Sequence, residues 1–591
     1  MSNTHKTEAL QLRREAASHQ LEDAFYPDIR RAFDPAGGQD PNAYFSKLLE
    51  HGADGRLTSD GEAAFIQMTH ALYTCDLPEL GAVPLAVEEG GEGGARRLLV
   101  NPTAAFAFEL SGAEGSQLEM PAPPEVNSKE AAAELVEVYG NMLLRDVPFG
   151  SYRDNPLAKT VARALTAFGD AYKGPKTASG EVTPDLLFRG TTDGDQAGNY
   201  LSQFLLLPFF PLFPSGCAPY VGQIIGVGNL DLNGLARDQK YPIPRSPADG
   251  GQEFVNTEAE FVAIQNGELP RTYAKLDYDT QARYLTRGRD MGGLVHIDSP
   301  YEAYYNALNT LVFRGAPGNP AFPFGQGDLR NQANGHTMGA SDIYTLIGRA
   351  CIAAFKAAWA HKWLAWRRLR PEAMAARVHF RLKGLADLAD GAAVSRWLAR
   401  EGVGAGMHPS LLKAGGGVLN AVRQRTEGHT LLLSQMYPEG SPAHPSYPSG
   451  HATVAGACTT VLKAFFNGDA ALPQLPGGFT RHSTGYVQTT LDGTALLPYD
   501  GALTLGGELD KLASNIAHAR DFGGVHFRAD GDQGMALGEQ VALRLLRDHA
   551  RTYPEPGFAG FELRLRSGVK VTVTAEGVTE IPEVGRRARV A

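Results

Sequence analysis

The chain predicts a mainly α protein with a helical core over residues 295–550, long loops, a small β hairpin near the C-terminus and a less regular N-terminal region. Three observations carry this expectation. Apolar residues recur at helical spacing in one segment after another from residue 153 onward. The 68 glycines and 37 prolines require substantial irregular connections between those helices. The stretch "FELRLRSGVKVTVTA" (561–575) alternates with the period of a strand and reads as a hairpin.

Taken in chain order, residues 1–50 read as a charged helical lead-in. Residues 51–140 read as mixed, with a short strand-like pair around "RRLLVNPTAAFAFEL" (96–110). Helices are expected in "RDNPLAKTVARALTAFGDAY" (153–172), "SPYEAYYNALNTLVF" (299–313) and "SDIYTLIGRACIAAFKAAWAHKWLAWRRL" (341–369). Further helices follow in "GVLNAVRQRTEGHTLLLSQMY" (417–437), in 451–466, in "GGELDKLASNIAHARDF" (506–522) and in "GDQGMALGEQVALRLLRDHAR" (531–551). The organisation is therefore an N-terminal region (1–140), a helical or interface region (141–294), a helical catalytic core (295–550) and a tail (551–591).

Bulk properties narrow the function. A length of 591 residues exceeds one small core, so more than one structural unit is expected. A net charge of −10 argues against nucleic acid or an anionic membrane as partner, and confines any anion site to a local basic pocket. Cys75, Cys217, Cys351 and Cys458 are far apart, which favours free thiols over a zinc site or a disulfide framework. The N-terminus lacks an apolar export core, so the cytoplasm is the default expectation. The uncharged run 199–230 is long enough to span a bilayer, but Pro208, Pro211, Pro214 and Pro219 would break a spanning helix. It reads instead as buried core or subunit interface. That predicts a soluble homo-oligomer, because so large an apolar surface does not stay exposed on a monomer.

One stretch concentrates chemistry. In "EGSPAHPSYPSGHATVAGACTTVLKAFF" (439–466), Pro442, Pro445 and Pro448 stiffen the approach to Ser449, Gly450 and His451 at the start of an apolar helix. Free N–H groups there, beside a serine and a glycine, suit an anion. Taken alone, Ser449 reads equally well as an ordinary helix cap.

Two other segments supply cations and a second histidine. In "WAHKWLAWRRLRPEA" (359–373), Arg367 and Arg368 read as charges favoured at a helix C-terminus. Lys362 and Arg370, eight apart, fall about 80° off one face of an ideal helix, and converge only if the helix tightens or bulges before Pro371. In "NIAHARDFGGVHFRADGD" (515–532), Arg520 and His526 flank a Gly-Gly turn, and Asp530 reads as a helix cap.

K-x7-R-P, then P-S-G-H, then R-x5-H-x3-D resembles the active-site signature of the vanadium-dependent haloperoxidases, most closely the algal bromoperoxidases. That superfamily includes the type-2 phosphatidic acid phosphatases and bacterial acid phosphatases. "SPAHPSYPSGHATVAGAC", "LRPEA" and "FRG…LSQFLL" (188–206) extend the resemblance over roughly residues 140–550.

The resemblance implies a vanadate cofactor held by Lys362, Arg370, Ser449, Gly450, Arg520 and His526, with His526 the vanadium ligand. Three cations and neutral donors suit a tetrahedral oxyanion independently of the name. His451 would be the acid–base group, oriented by Asp298. Lys362 would polarise hydrogen peroxide.

A halide pocket would include Trp359 and His444, the first resembling the aromatic of the chloroperoxidases and the second the histidine of the bromoperoxidases, with His444 also a catalytic group that donates to vanadate and moves protons. The implied reaction is peroxide oxidation of bromide or iodide to hypohalous acid, which halogenates electron-rich small organic substrates. "FPFGQGDLRN" (322–331) offers Gln326, Asp328 and Asn331 as oxygen ligands for calcium, or is a plain surface turn. Two other readings of the same residues stay open. One is an acid phosphatase-type phosphomonoesterase with His526 as nucleophile; the other is a non-catalytic oxyanion-binding protein.

Overall fold

A computed structural model describes residues 3–22, 29–87, 97–207, 239–268, 276–383, 407–472, 485–582. The longer helices are α1 (Asn3–Glu22), α2 (Ser59–Thr74), α3 (Lys129–Leu144), α4 (Pro156–Ala167), α5 (Glu258–Gln265), α6 (Gly288–Leu294) and α7 (Glu302–Phe313). They continue with α8 (Ala340–Ala360), α9 (Pro371–Leu382), α10 (Ser410–Arg425), α11 (Gly450–Phe465), α12 (Leu505–Phe522) and α13 (Arg528–Ala550).

The architecture is mainly α, as the helical periodicity predicts, with small antiparallel sheets. β1 (Tyr486–Thr489) pairs with β2 (Leu496–Tyr499). β3 (Phe561–Arg564) pairs with β4 (Lys570–Val573), which pairs with β5 (Val578–Glu580), so the expected C-terminal hairpin gains a third strand.

Helix α11 is the axis of the core. Apart from His451, all of its residues are buried, and α8, α12 and α13 pack around it. Its approach to α13 is set by two glycines. A Cβ on Gly456 would sit 2.1 Å from the Met535 carbonyl oxygen, and one on Gly538 would sit 2.0 Å from that of Thr453. Backbone-to-backbone contact holds the helix, and the site at its N-terminus, in register with α13.

Helix α3 lies in a region the sequence reads as mixed. It is buried on every side from Ala131 onward, with Glu134 and Glu137 among its buried residues, so no polar stripe marks it as a helix. Arg368 and Arg528 neutralise the two carboxylates.

Three further expectations are corrected. Residues 97–110 do not pair as strands. Asn101 is left-handed (φ 43°), Pro102 starts a 3-10 turn, and Val100 donates its N–H to the Ala443 oxygen instead of to a neighbouring strand. The helix expected over 417–437 ends at Arg425, because Gly428 (φ 71°) and His429 (φ 55°) turn the chain. Of the helical lead-in, only Asn3–Glu22 is α-helical among the described residues, followed by short 3-10 turns at Pro35–Gly37 and Pro41–Ala43.

Ala340–Trp366 is long and apolar enough to cross a bilayer by length and composition, with 56% of its most apolar window buried inside the protein. In the 199–230 run, Tyr200, Leu201 and Phe204–Leu207 are buried in the main core; the expectation for 208–230 lies outside the described residues.

Candidate active site

The site forms where three chain segments meet at the N-terminus of α11. The first is the end of α8, which passes into a π-helical turn over His361–Trp366. Arg367 then takes a left-handed conformation (φ 45°) and returns its N–H to the Lys362 oxygen at 2.9 Å. The extra residue in the wide turn removes the angular offset between Lys362 and Arg370. Both side chains reach the turn before Ser449: Lys362 Nζ donates to Pro445 O (2.7 Å) and Ser446 O (2.9 Å), and Arg370 Nε donates to His444 O (2.9 Å).

The second segment is 444–451. Ser449 Oγ caps α11 by accepting from Ala452 N at 3.4 Å, and Ser449 N donates to Asp530 O at 2.9 Å. The first N–H groups of the helix, at Gly450 and His451, have no intrahelical acceptor. Gly450 is held close to α8: a Cβ there would lie 3.2 Å from both Phe355 Cε1 and Trp359 Cζ3. His451 Nε2 lies 2.9 Å from Asp298 Oδ1, in the position the sequence reading expects of that aspartate. Burial raises the Asp298 pKa, but His451 and Arg520 outweigh it and hold the carboxyl below its usual range.

The third segment joins α12 to α13. Arg370 Nη1 lies 3.0 Å from His526 Nε2, and His526 Nδ1 lies 2.9 Å from Asp530 Oδ2. A guanidinium only donates, so Nε2 carries the lone pair and Nδ1 the proton. Burial, reinforced by Arg370, keeps the His526 pKa well below the ordinary histidine value, so the ring is neutral. Arg520 donates to Val295 O and lies 5.3 Å over the Tyr437 ring. Its buried Nε has no hydrogen-bond partner among the described residues.

The electrostatics favour an anion. Lys362, Arg370 and Arg520 make no ion pair with a carboxylate among the described residues; apart from two imidazoles on Arg370, they bond backbone oxygens. Burial and the charges of Arg370 and Arg520 push the Lys362 pKa well down against the opposing pull of Asp530. Arg370 falls to about 9, with burial the main cause. Two guanidinium groups without a carboxylate ion pair among the described residues, one of them with an unbonded Nε there, and a buried amine suit an oxyanion such as vanadate. The imidazole Nε2 of His526 offers such a group a lone pair.

The geometry has counterparts among known proteins. The model of the VCPO second helical-bundle domain matches residues 342–555. Over 554 residues the chain is 32% identical to a vanadium-dependent bromoperoxidase of Ascophyllum nodosum, across 92% of this chain and 89% of that one. The chain belongs to the vanadium-dependent bromoperoxidase family.

A Corallina officinalis member is 30% identical over 570 residues, covering 89% of this chain and 90% of its own. The homohexameric structure of the second vanadate-dependent bromoperoxidase from Ascophyllum nodosum superposes with a TM-score of 0.77 at 25% identity, covering 97% of this chain and 91% of that one.

Within this bromoperoxidase fold several sequence expectations change. Arg368 is no helix-end charge. It is buried and bridges Asp530 (2.7 Å) and Glu134 (2.6 Å), while Arg367 does bond the last carbonyls of the turn, Trp363 O and Leu364 O. Asp530 caps α13 by accepting from Phe527 N, and also holds His526, Ser446 and Arg368. The motif spacing contained Asp530, but only the fold shows that the cap and the ligand's anchor are one carboxylate.

Trp359 packs 4.9 Å from the His444 ring and 5.6 Å from Phe355. Its indole N–H is taken by Val100 O at 3.1 Å, so it presents a wall and offers no donor. His444 Nδ1 lies 3.0 Å from Arg370 Nη2, and burial together with Arg370 and Lys362 pushes its pKa well down. The ring is thus held between the Arg370 guanidinium and the Trp359 indole.

On the 322–331 loop, Gln326, Asp328 and Asn331 are exposed around a 3-10 turn at Gly327–Leu329. The amide of Gln326 donates to Phe322 O at 3.4 Å. No group of three or more His, Cys, Asp or Glu arranged for a metal occurs among the described residues.

No residue pattern in the N-terminal region points to a role. The structure places buried Lys47 on Glu372 (2.8 Å), Ser441 O (2.7 Å) and Glu439 O (3.1 Å), and Arg97 on Glu439 O (2.8 Å). These bonds fasten the start of the 439–449 turn.

Proposed function

We propose that this chain is a vanadate-dependent haloperoxidase that oxidises bromide and iodide with hydrogen peroxide to hypohalous acid, which halogenates electron-rich organic molecules. The observation that carries the reading is His526, anchored through Nδ1 by Asp530, with its Nε2 lone pair 3.0 Å from Arg370 Nη1 and beside basic groups that form no ion pair with a carboxylate among the described residues. Bound vanadate would supply an electrophilic oxyanion centre that activates peroxide. His526 would hold it, and Arg370, Arg520, Lys362, Ser449 and the Gly450 N–H would receive its oxygens. Lys362 Nζ donates to Pro445 O and Ser446 O, so a third N–H is left for this task only in its protonated form.

The reaction, Br⁻ + H2O2 + H⁺ → HOBr + H2O, consumes a proton. His451 is suited to deliver it: Nε2 is held by Asp298, Nδ1 makes no hydrogen bond among the described residues, and the side chain is 23% exposed, so it exchanges with solvent. The wall of Trp359 and His444 disfavours a small, strongly hydrated anion less readily oxidised than bromide. Chloride turnover is therefore expected to be weak or absent.

Bromination of a phenol dye with peroxide, with and without orthovanadate, tests the reading. Vanadate-dependent bromination supports it. No vanadate dependence together with efficient phosphate-ester hydrolysis would assign the pocket to a phosphomonoesterase instead.

Assembly into a homo-oligomer is favoured by the homohexameric Ascophyllum relative and by exposed Phe108, Leu110 and Ile297. Calcium on the 322–331 loop is favoured by hard oxygen ligands at Gln326, Asp328 and Asn331 and by the left-handed Gly325 and Gly327 that bend it. Calorimetric titration with calcium, lost in Asp328→Asn, would support that site; no binding to the wild type would remove it.

A further inference from the structure

Residues 295–298, which follow α6, touch two proposed site groups in close succession. Val295 O receives Arg520 Nη1, and Asp298 receives His451. Between them His296 stacks on Tyr437, with centroids 4.1 Å apart and planes 3° from parallel. The guanidinium of Arg520 lies 5.3 Å over that same phenol ring. The ring cannot drift, because Tyr437 OH donates to Gly292 O at 2.7 Å. The imidazole is likewise held, its Nε2 lying 2.7 Å from Glu439 Oε1.

We propose that His296 and Tyr437 are positioning residues for Arg520: the stacked rings fix the plane of its guanidinium so that the unpartnered Nε–H faces the oxyanion. The inference rests on the oxyanion reading of the pocket. Its physical basis is that an arginine with one carbonyl partner keeps free rotamers, and an aromatic face under the guanidinium removes them without consuming a donor. A carboxylate in that place would hold the arginine equally well but would cancel the charge the oxyanion needs. The stack therefore provides orientation while preserving the charge. It also links the site to the N-terminal region, since the backbone of Glu439 is held by Lys47 and Arg97.

The test is calorimetric titration of the apo-protein with orthovanadate and, separately, with inorganic phosphate. Tyr437→Leu and His296→Leu should each weaken orthovanadate about tenfold, the size typical of losing support behind a ligand-binding group. Tyr437→Phe and His296→Phe retain a ring and should stay within about twofold of wild type. In an Arg520→Lys background, Tyr437→Leu should add no further loss, because the group it orients is gone. A purely structural role would give additive losses.

Should the Leu variants fail to fold, Glu439→Gln, altering a partly exposed side chain, still tests the chain of contacts and should weaken orthovanadate about twofold to threefold. Wild-type affinity in the folded Leu variants, or in Glu439→Gln where only that variant folds, overturns the inference. So do Phe variants as weak as Leu variants, and additivity with Arg520→Lys. A wild type that binds neither anion overturns the oxyanion reading as well, which separates the two failures.

Discussion

His526 Nδ1 lies 2.9 Å from Asp530 Oδ2, and the other oxygen of the same carboxylate lies 2.7 Å from Arg368 Nη1. One buried aspartate thus sets the tautomer of the proposed vanadium ligand and is itself neutralised from the far side. Burial raises the Asp530 pKa, but Arg368, His526 and Ser446 together drive it far below the usual carboxylate range, so the anchor stays ionised.

Asp530→Asn should therefore act on the ligand first. It removes the charge behind the imidazole and leaves Arg368 with Glu134 alone. Vanadium retained after gel filtration should fall by about 10- to 100-fold in affinity. Wild-type retention would show that Arg370 alone suffices to hold the ring.

His526→Ala should abolish stoichiometric vanadium retention while the fold persists, since the lost side chain belongs to a connection between α12 and α13 and not to the apolar core. Metal analysis and a thermal melt, run together, check both halves. Full activity in this variant would remove the central assignment.

Trp359→Phe and Trp359→Arg separate the wall from the hydrogen bond. The Phe variant loses only the bond to Val100 O, worth about 1 kcal/mol of stability, and should keep the halide preference. The Arg variant places charge beside His444 and should change the bromide-to-iodide rate ratio more than vanadate affinity. Steady-state rates with each halide decide. If the Arg variant leaves the ratio unchanged while His444→Ala shifts it, Trp359 is structural.

Lys47→Met should destabilise the protein strongly, by about 3–5 kcal/mol, because Glu372 would be left as a buried charge without its partner. Some bromination should be lost as well, since the same lysine fastens Ser441 O and Glu439 O. Chemical denaturation gives the first quantity and bromide turnover the second.

Acid should weaken the fold through Asp146. Burial raises its pKa, but Arg289, with Arg145 and Arg425, takes it down to about 2 from an ordinary value of 3.8. A carboxylate whose folded pKa is depressed stabilises the fold above its unfolded pKa and loses that contribution as pH falls through the folded one. The loss should amount to about 2 kcal/mol between roughly pH 4 and pH 2. Asp146→Asn should flatten denaturation midpoints across that window.

Much of the site is legible in the chain because its groups are bound to local devices with sequence signatures. A proline-stiffened turn before an apolar run announces Ser449, Gly450 and His451, and a Gly-Gly turn announces Arg520 and His526. Charge-bearing residues at a helix edge announce Lys362 and Arg370. The mainly α class follows from periodicity, which the backbone obeys wherever one face of a helix meets solvent. Helix α3 escapes that reading because it is buried on every side from Ala131 onward: with Glu134 and Glu137 buried against arginines, its polar residues there mark salt bridges and not a wet face.

Residue types and their order determined the helical class, the oxyanion chemistry and most of the groups proposed to serve it, because each depends on chemistry within a few residues. Tertiary structure alone decided which partners those groups have. Lys362 and Arg370 meet through a π turn, Arg368 leaves the helix end to neutralise Asp530, and Trp359 spends its N–H on Val100. His296, Tyr437 and Arg520, 224 residues apart at their extremes in the numbering, share one stack. Such pairings arise when distant segments are buried together and every polar group must find an acceptor, a condition that local sequence does not encode.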